Sequence, residues 1–325
     1  MKYYTLHRNS LDTCPGGVEQ TIRYLSDWLS DLSVTELRFD QLNPALITPD
    51  STWIVDSYMF PPELIQRGAH VVSIIHGLMD YLVHCEGITD PENPMKKMAT
   101  AQSAALRTLH AQSERYTGKF KTVACSKSTN DSMMRFLGFT ADETINNPAD
   151  TYTFSPGQRQ KQPDFSKPIH ITGRFAGKHK GGELIVKIME ALPDTYKIIP
   201  MQNIHPLQRP SFYQAMDIYL SLSTFEGCSM VLNEALATGL PIISCMSGLL
   251  EDVELITPYN LGIIYDRVLH TRDTYADTII GYIHNIVENL QRGARYQGRE
   301  FAEKHLNLPA WAEQWRKFLT VDLFI

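Results

Sequence analysis

Short apolar runs alternate with amphipathic segments along most of the chain, which is the pattern of an α/β protein with parallel sheets. In the first half, Tyr3–Leu6 reads as an opening strand, followed by a turn containing Pro15-Gly16-Gly17. A helix runs on from about Val18, with Val18, Ile22, Leu25 and Leu29 on one face. Further strands are predicted at Thr35–Phe39, Thr52–Val55, Val71–Ile75 and Thr122–Cys125, with helices around Lys97–Ser113 and Thr129–Phe136. A second set begins near Pro168. It has strands at Ile169–Thr172, Tyr196–Pro200, Ile218–Leu222, Ile242–Ser244 and Ile263–Tyr265, and helices at Gly181–Leu192 and Met230–Thr238. The tail reads as helical over Thr274–Leu290, Ala294–His305 and Ala310–Leu319. Asp150–Pro168 is polar and proline-bearing and reads as a linker. The expectation is therefore two Rossmann-like domains, residues 1–155 and 165–325. Ligands of such sheets bind at the carboxyl ends of strands and at the helix N-termini that follow.

Two strand ends carry chemistry. The first is Thr172-Gly173-Arg174-Phe175-Ala176-Gly177-Lys178-His179-Lys180-Gly181-Gly182. Glycine freedom, cations and a helix start are what a pyrophosphate needs, although a plain glycine-rich turn with surface lysines fits the segment equally. The Walker A pattern is absent. The second runs from Ser221 through Glu226, Gly227, Cys228, Ser229, Met230, Val231 and Glu234 to Gly239 and Pro241. Ser229 is placed to N-cap a helix that Gly239 and Pro241 end. Glu226 then lies on the loop before that helix and Glu234 lies inside it. A phosphate on the N–H groups of Gly227–Val231 would sit between two carboxylates, which repel it and so suit hydroxyls, one of the ribose and the other of a transferred sugar. A lone pair of glutamates at this spacing is also explained by a helix dipole and a helix surface. The flanking Gly227, Ala235, Gly239 and Pro241 favour the site.

Composition narrows the classes. The chain has 325 residues, 43% hydrophobic and 20% charged, a formal net charge of −6 and a pI near 6.0, which argues against a strongly basic nucleic-acid binder. Between Pro94 and Arg135, Lys96, Lys97, Arg107, Arg115, Lys119, Lys121, Lys127 and Arg135 face only Glu114 and Asp131. A solvated helix face explains this stretch, and a docking surface for a polyanion or an anionic membrane is the sharper alternative. Five cysteines without a CxxC pair suit a reducing compartment and suggest no zinc site. The polar N-terminus and the lack of a long apolar run point to a cytoplasmic protein.

The segment from Glu226 to Pro241 resembles the E-x7-E signature of retaining glycosyltransferases with the GT-B fold, of the glycosyltransferase family 4 kind. Gly173-Arg174-Phe175 with Lys180-Gly181 is similar to that family's diphosphate clamp, and the likeness spans about Pro168–Asp266. In the first half, Gly16-Gly17-Val18-Glu19 resembles an acceptor-side glycine loop, and His76-Gly77 resembles a strand end that touches the donor sugar. Val123–Ser126 and Ile145–Asp150 resemble the end of the family's first domain. Cys228 and Ser229 stand where the family commonly has Phe-Gly, and Pro148 where it commonly has Gly.

The resemblance implies two Rossmann-like domains facing across a cleft. It also implies transfer of a hexosyl or pentosyl group from a nucleoside diphosphate sugar with retention, and no bound metal. Arg174 and Lys180 would stabilise the leaving diphosphate, Glu226 would hold the donor sugar and Glu234 the ribose. His76 would bind the sugar or orient the acceptor, and is otherwise a structural histidine. The acceptor would be a glycan, a lipid-linked sugar or a small molecule. A hydroxymethylated DNA base is a further option, and a sugar-nucleotide epimerase or a non-catalytic sugar-nucleotide scaffold are the competing readings.

Overall fold

The computed structural model describes residues 1–7, 17–56, 61–115, 118–161, 164–202, 204–271 and 274–324. Contacts divide the chain into two units, Met1–Asn147 with Leu308–Ile325, and Pro148–Asn307. The first unit contains β1 (Lys2–His7), α1 (Gly17–Trp28), β2 (Thr35–Arg38), β3 (Ser51–Asp56), α2 (Glu63–Gln66), β4 (His70–Ile75), α3 (Met79–Cys85), α4 (Pro94–Gln112), β5 (Phe120–Ala124), α5 (Lys127–Leu137) and β6 (Glu143–Thr144). The second contains α6 (Gln158–Lys161), β7 (Ile169–Gly173), α7 (Gly182–Ala191), β8 (Tyr196–Pro200), α8 (Arg209–Gln214), β9 (Ile218–Ser221), α9 (Met230–Ala237), β10 (Ile242–Cys245), α10 (Val253–Ile256), β11 (Gly262–Tyr265), α11 (Tyr275–Gln291) and α12 (Gly298–His305). The last helix, α13 (Leu308–Thr320), belongs to the first unit.

All described strand pairs are parallel. The first sheet runs β2-β1-β3-β4-β5-β6 and the second β11-β10-β9-β7-β8. Both repeat one plan. The second strand of each unit pairs on one side of the first, and the third strand returns to the other side. The order therefore reverses between β1 and β3, and again between β7 and β9. Such a reversal leaves a crevice at the carboxyl ends, because the two following connections diverge to opposite faces. The central strands are buried on both sides, as the apolar runs require. Ile171, Ile218, Leu220 and Ile243 are covered by Ile185 and Ile188 of α7 and by Ile279, Ile283 and Ile286 of α11. In the first unit Trp53 stacks on Tyr4 with ring centroids 4.5 Å apart.

Two boundaries differ from the sequence expectation. The described residues of the stretch predicted as a linker, 150–161 and 164–168, belong to the second unit. Phe154 is buried, Arg159 Nε donates to Asp217 Oδ1 at 2.9 Å, and Gln214 donates to Ser155 O at 3.0 Å. The division falls at Asn147–Pro148 instead of near residue 160. The tail was expected wholly on the second domain, yet α13 leaves it. Trp311 packs edge-on against Tyr24 of α1, and Arg316 forks onto Asp31 at 2.9 and 3.0 Å. Trp311, Trp315 and Phe318 are buried there, so apolar area decides the placement.

Candidate active site

The second unit's reversal point is built by the loops after β7 and β9. β7 ends at Gly173, where an added Cβ would lie 2.0 Å from Leu220 O of the neighbouring strand. That glycine, singled out as a ligand contact, is required by sheet packing. The chain then passes the exposed Arg174 and a single 3-10 turn at Lys178–Lys180. Gly181 has φ +78°, and a Cβ on it would meet Leu222 Cβ at 2.4 Å. Only glycine turns the chain there without strain. The two loops are thereby drawn together, and Thr224 N donates to His179 O at 2.9 Å across them. Lys180 Nζ and Glu226 Oε1 form an ion pair at this junction, with side-chain exposures of 19% and 16%. Two residues assigned separately, one to the diphosphate and one to the sugar, thus form one unit.

α9 starts at Met230, as the sequence indicates, and all eight of its residues are buried. Ser229 occupies the N-cap position with extended backbone, but its side chain makes no capping hydrogen bond, contrary to expectation. Gly227, Cys228, Met230 and Val231 are buried, so what this turn offers a ligand is backbone N–H groups and the helix's partial positive charge. The Cys228 thiol accepts from Asn233 Nδ2 at 3.6 Å.

Glu234, in the second turn of α9, is 2% exposed. Two residues that sequence reasoning missed hold it. Arg209 NH1 donates to Glu234 Oε1 at 3.2 Å, and Tyr213 Oη lies 3.1 Å from Oε2. Burial raises the Glu234 pKa above the ordinary carboxylate value. Arg209, the Tyr213 hydroxyl and, at longer range, Arg174 oppose that rise. The same burial, with the Glu234 charge beside it, pushes the Tyr213 phenol well up. Arg209 and Tyr213 lie four apart on α8, hence on one face. That spacing was readable, but a six-residue helix with Pro210 at its second position has too little periodicity to be recognised.

In the first unit, α1 begins at Gly17, and Gly16 lies outside the described residues. His76 follows the carboxyl end of β4. Its Nε2 is 3.7 Å from Asp56 Oδ1 at the end of β3. Burial lowers the His76 pKa, and the charges of Asp56 and Glu19 counter it. The basic stretch lies mainly on α4 and α5, and much of it is paired. Lys97 contacts Glu92 at 2.7 Å, Lys121 Asp142 at 3.1 Å and Lys127 Asp131 at 3.2 Å. Arg107 is bound to Phe136 O and Arg135 to His84. These contacts favour the solvated-face reading. No group of three or more metal-binding side chains occurs among the described residues, and no described helix is long and apolar enough to cross a membrane.

Two parallel sheets of one strand plan, each followed by helices, make this a GT-B fold. Among solved structures, a sucrose-phosphate synthase from Thermosynechococcus elongatus is similar over 99% of both chains, at 15% identity and a TM-score of 0.71. HepE from Anabaena, solved in complex with UDP-glucose, matches over 98% of this chain and 99% of its own, at 14% identity and a TM-score of 0.68. The lipopolysaccharide outer core galactosyltransferase WaaB, in its apo form, matches over 99% of this chain and 100% of its own, at 12% identity and a TM-score of 0.58. No protein-family model and no curated protein matches the sequence.

Proposed function

We propose that the protein transfers a sugar from a nucleoside diphosphate sugar to a hydroxyl acceptor, with retention at the anomeric carbon. The observation that carries this reading is the joining of the Lys180–Glu226 pair to the α9 N-terminus at a strand-order reversal. A diphosphate there meets backbone N–H groups, Arg174 and Lys180, while the carboxylates of Glu226 and Glu234 flank it. As the anomeric C–O bond breaks, its electron pair goes to the diphosphate. Preorganised cations and amide dipoles stabilise the growing charge without reorganising. Glu226 accepts hydrogen bonds from the sugar hydroxyls and Glu234 from the ribose. The acceptor oxygen attacks the face the phosphate leaves, and its proton passes to the departing phosphate oxygen. This route uses no enzymic base and no metal.

HepE was solved with UDP-glucose and WaaB is a galactosyltransferase, so uridine diphosphate hexoses are the first donors to test. The acceptor class we favour is a glycan, lipid-linked sugar or small-molecule hydroxyl. The pairing across Lys97, Lys121 and Lys127 lowers the case for a polyanion such as DNA. The test is a thermal-shift panel of nucleoside diphosphates and their sugars, then NMR of the product anomer. A ligand at about 100 times its Kd should stabilise by about 2.7 kcal/mol. No stabilisation by any nucleotide, or an inverted anomer, would refute the reading.

A further inference from the structure

Glu234 is a carboxylate buried in the second turn of a helix whose other residues are also buried. A protonated carboxyl has one O–H to donate and fewer places to accept, whereas a ribose diol brings two donors. A ribose contact at Glu234 therefore requires the charged form, which burial disfavours. Among the described residues, two side chains hydrogen-bond to the carboxylate, and of these Arg209 supplies charge. The Tyr213 hydroxyl has a single hydrogen, and Val231 O at 2.9 Å competes with Glu234 Oε2 at 3.1 Å for it. Arg209 brings a full positive charge to Oε1 at 3.2 Å, and its own side chain is 11% exposed, so water screens the pair little. Arg174 also lowers the Glu234 pKa but is exposed and acts at longer range, and Tyr219 is a neutral phenol close by.

Arg209 is the first residue of α8. A 3-10 turn at Pro206–Gln208, capped by His205 Nδ1, leads directly into α8, and Pro210 lies in the first turn of that helix. Tyr213 follows one helical turn later on the same face and is fully buried.

We propose that Arg209 is a positioning residue of the nucleotide site, holding Glu234 ionised and aimed so that its remaining acceptor positions meet the ribose hydroxyls. This rests on the ribose assignment given above for Glu234. Tyr213 steers the carboxylate, while Arg209 sets its charge.

The test has two arms. The first is calorimetric affinity for UDP between about pH 5 and pH 8, in the wild type, Arg209→Gln, Arg209→Lys and Tyr213→Phe. Losing a charged partner should weaken UDP in Arg209→Gln about tenfold or more at neutral pH. That loss should shrink as pH rises, because Glu234 regains its charge. Arg209→Lys should recover most of the affinity and a wild-type profile, and Tyr213→Phe should lose less than Arg209→Gln. Equal affinity in Arg209→Gln, a pH-independent loss that Lys does not rescue, or a larger loss in Tyr213→Phe would overturn the proposal. Should Arg209→Gln not fold, the Lys and Phe profiles decide it, and a pH-dependent loss in Arg209→Lys matching that of a charge deletion counts against it.

The second arm needs no nucleotide. Without Arg209 the folded-state pKa of Glu234 rises further above its unfolded value. The stability deficit of Arg209→Gln should therefore grow as pH rises from about 4 towards neutrality. A deficit equal at every pH means that the pair sets no charge. If the wild type binds no nucleoside diphosphate, the nucleotide reading fails in the first arm, and the second still judges the Arg209–Glu234 pair.

Discussion

Replacing Lys180 by methionine removes a cation from a pair that is about four-fifths buried and leaves Glu226 with an uncompensated charge. Breaking a fully buried pair costs roughly 3–5 kcal/mol, and breaking an exposed one at most about 1. With side-chain exposures of 19% and 16%, about 2 kcal/mol is the expected loss. For a unit the size of Pro148–Asn307 that lowers Tm by roughly 4–8 °C. Glu226→Gln in the same background should restore most of this loss, because the orphaned charge is then gone. The assay is a double-mutant cycle by denaturant unfolding, run alongside turnover of the donor sugar. Turnover separates the two residues' roles. Lys180→Met should lower it by about 100- to 1,000-fold, the usual cost of a lost transition-state donor. Glu226→Gln should keep affinity for the nucleoside diphosphate and lose turnover, since Lys180 is freed and only the sugar contact is lost. Stability effects that add within about 0.5 kcal/mol would show that the two side chains act independently, and the reasoning would fall.

Arg174→Ala should lower turnover by about 2–4 kcal/mol of barrier with little change in Tm, because the side chain is exposed; unchanged steady-state kinetics would remove it from the site. Gly181→Ala, with φ +78° and a Cβ driven onto Leu222, should destabilise by about 1–3 kcal/mol in urea unfolding, and a neutral result would contradict the close approach. His76 has a folded pKa below its unfolded value, so its contribution is present above about pH 6.5 and lost as pH falls further. His76→Gln should flatten part of the acid fall in stability between about pH 7 and pH 5. A pH–stability curve parallel to that of the wild type would deny His76 this role.

Much of the architecture was legible because it depends on local rules. Continuous apolar runs gave away β3, β4, β9 and β10, since a strand buried on both faces has no alternation to hide behind. Most predicted boundaries lie within two residues of the observed ones, but α4 begins three residues earlier than expected and α12 four residues later. Gly239 marks the end of α9 with φ +80°. Short pieces were missed for the same reason that long ones were found. α3 and α8 have too few turns to display a period, and the two-residue β6 has no pattern at all. The side of the division on which α13 falls is not a local property. Its amphipathic face fits any apolar surface, and only the three-dimensional meeting with Tyr24 and Asp31 selects one.

The candidate site divides along the same line. Residue types and spacing around Gly173–Gly182 and Glu226–Glu234 marked two strand ends, because glycine, a helix start and a carboxylate are chemical needs that a sequence displays directly. The sequence by itself determined the α/β class, the two sets of parallel strands and the two segments that carry chemistry. Only the tertiary structure decided that Lys180 and Glu226 pair with each other, that Ser229 leaves its helix end uncapped by its side chain, and that Glu234 is held by Arg209 and Tyr213. The physical reason is that charge pairing and burial are properties of distance through space. Lys180 and Glu226, and Arg209 and Glu234, lie far apart along the chain, and nothing local to either partner records the other.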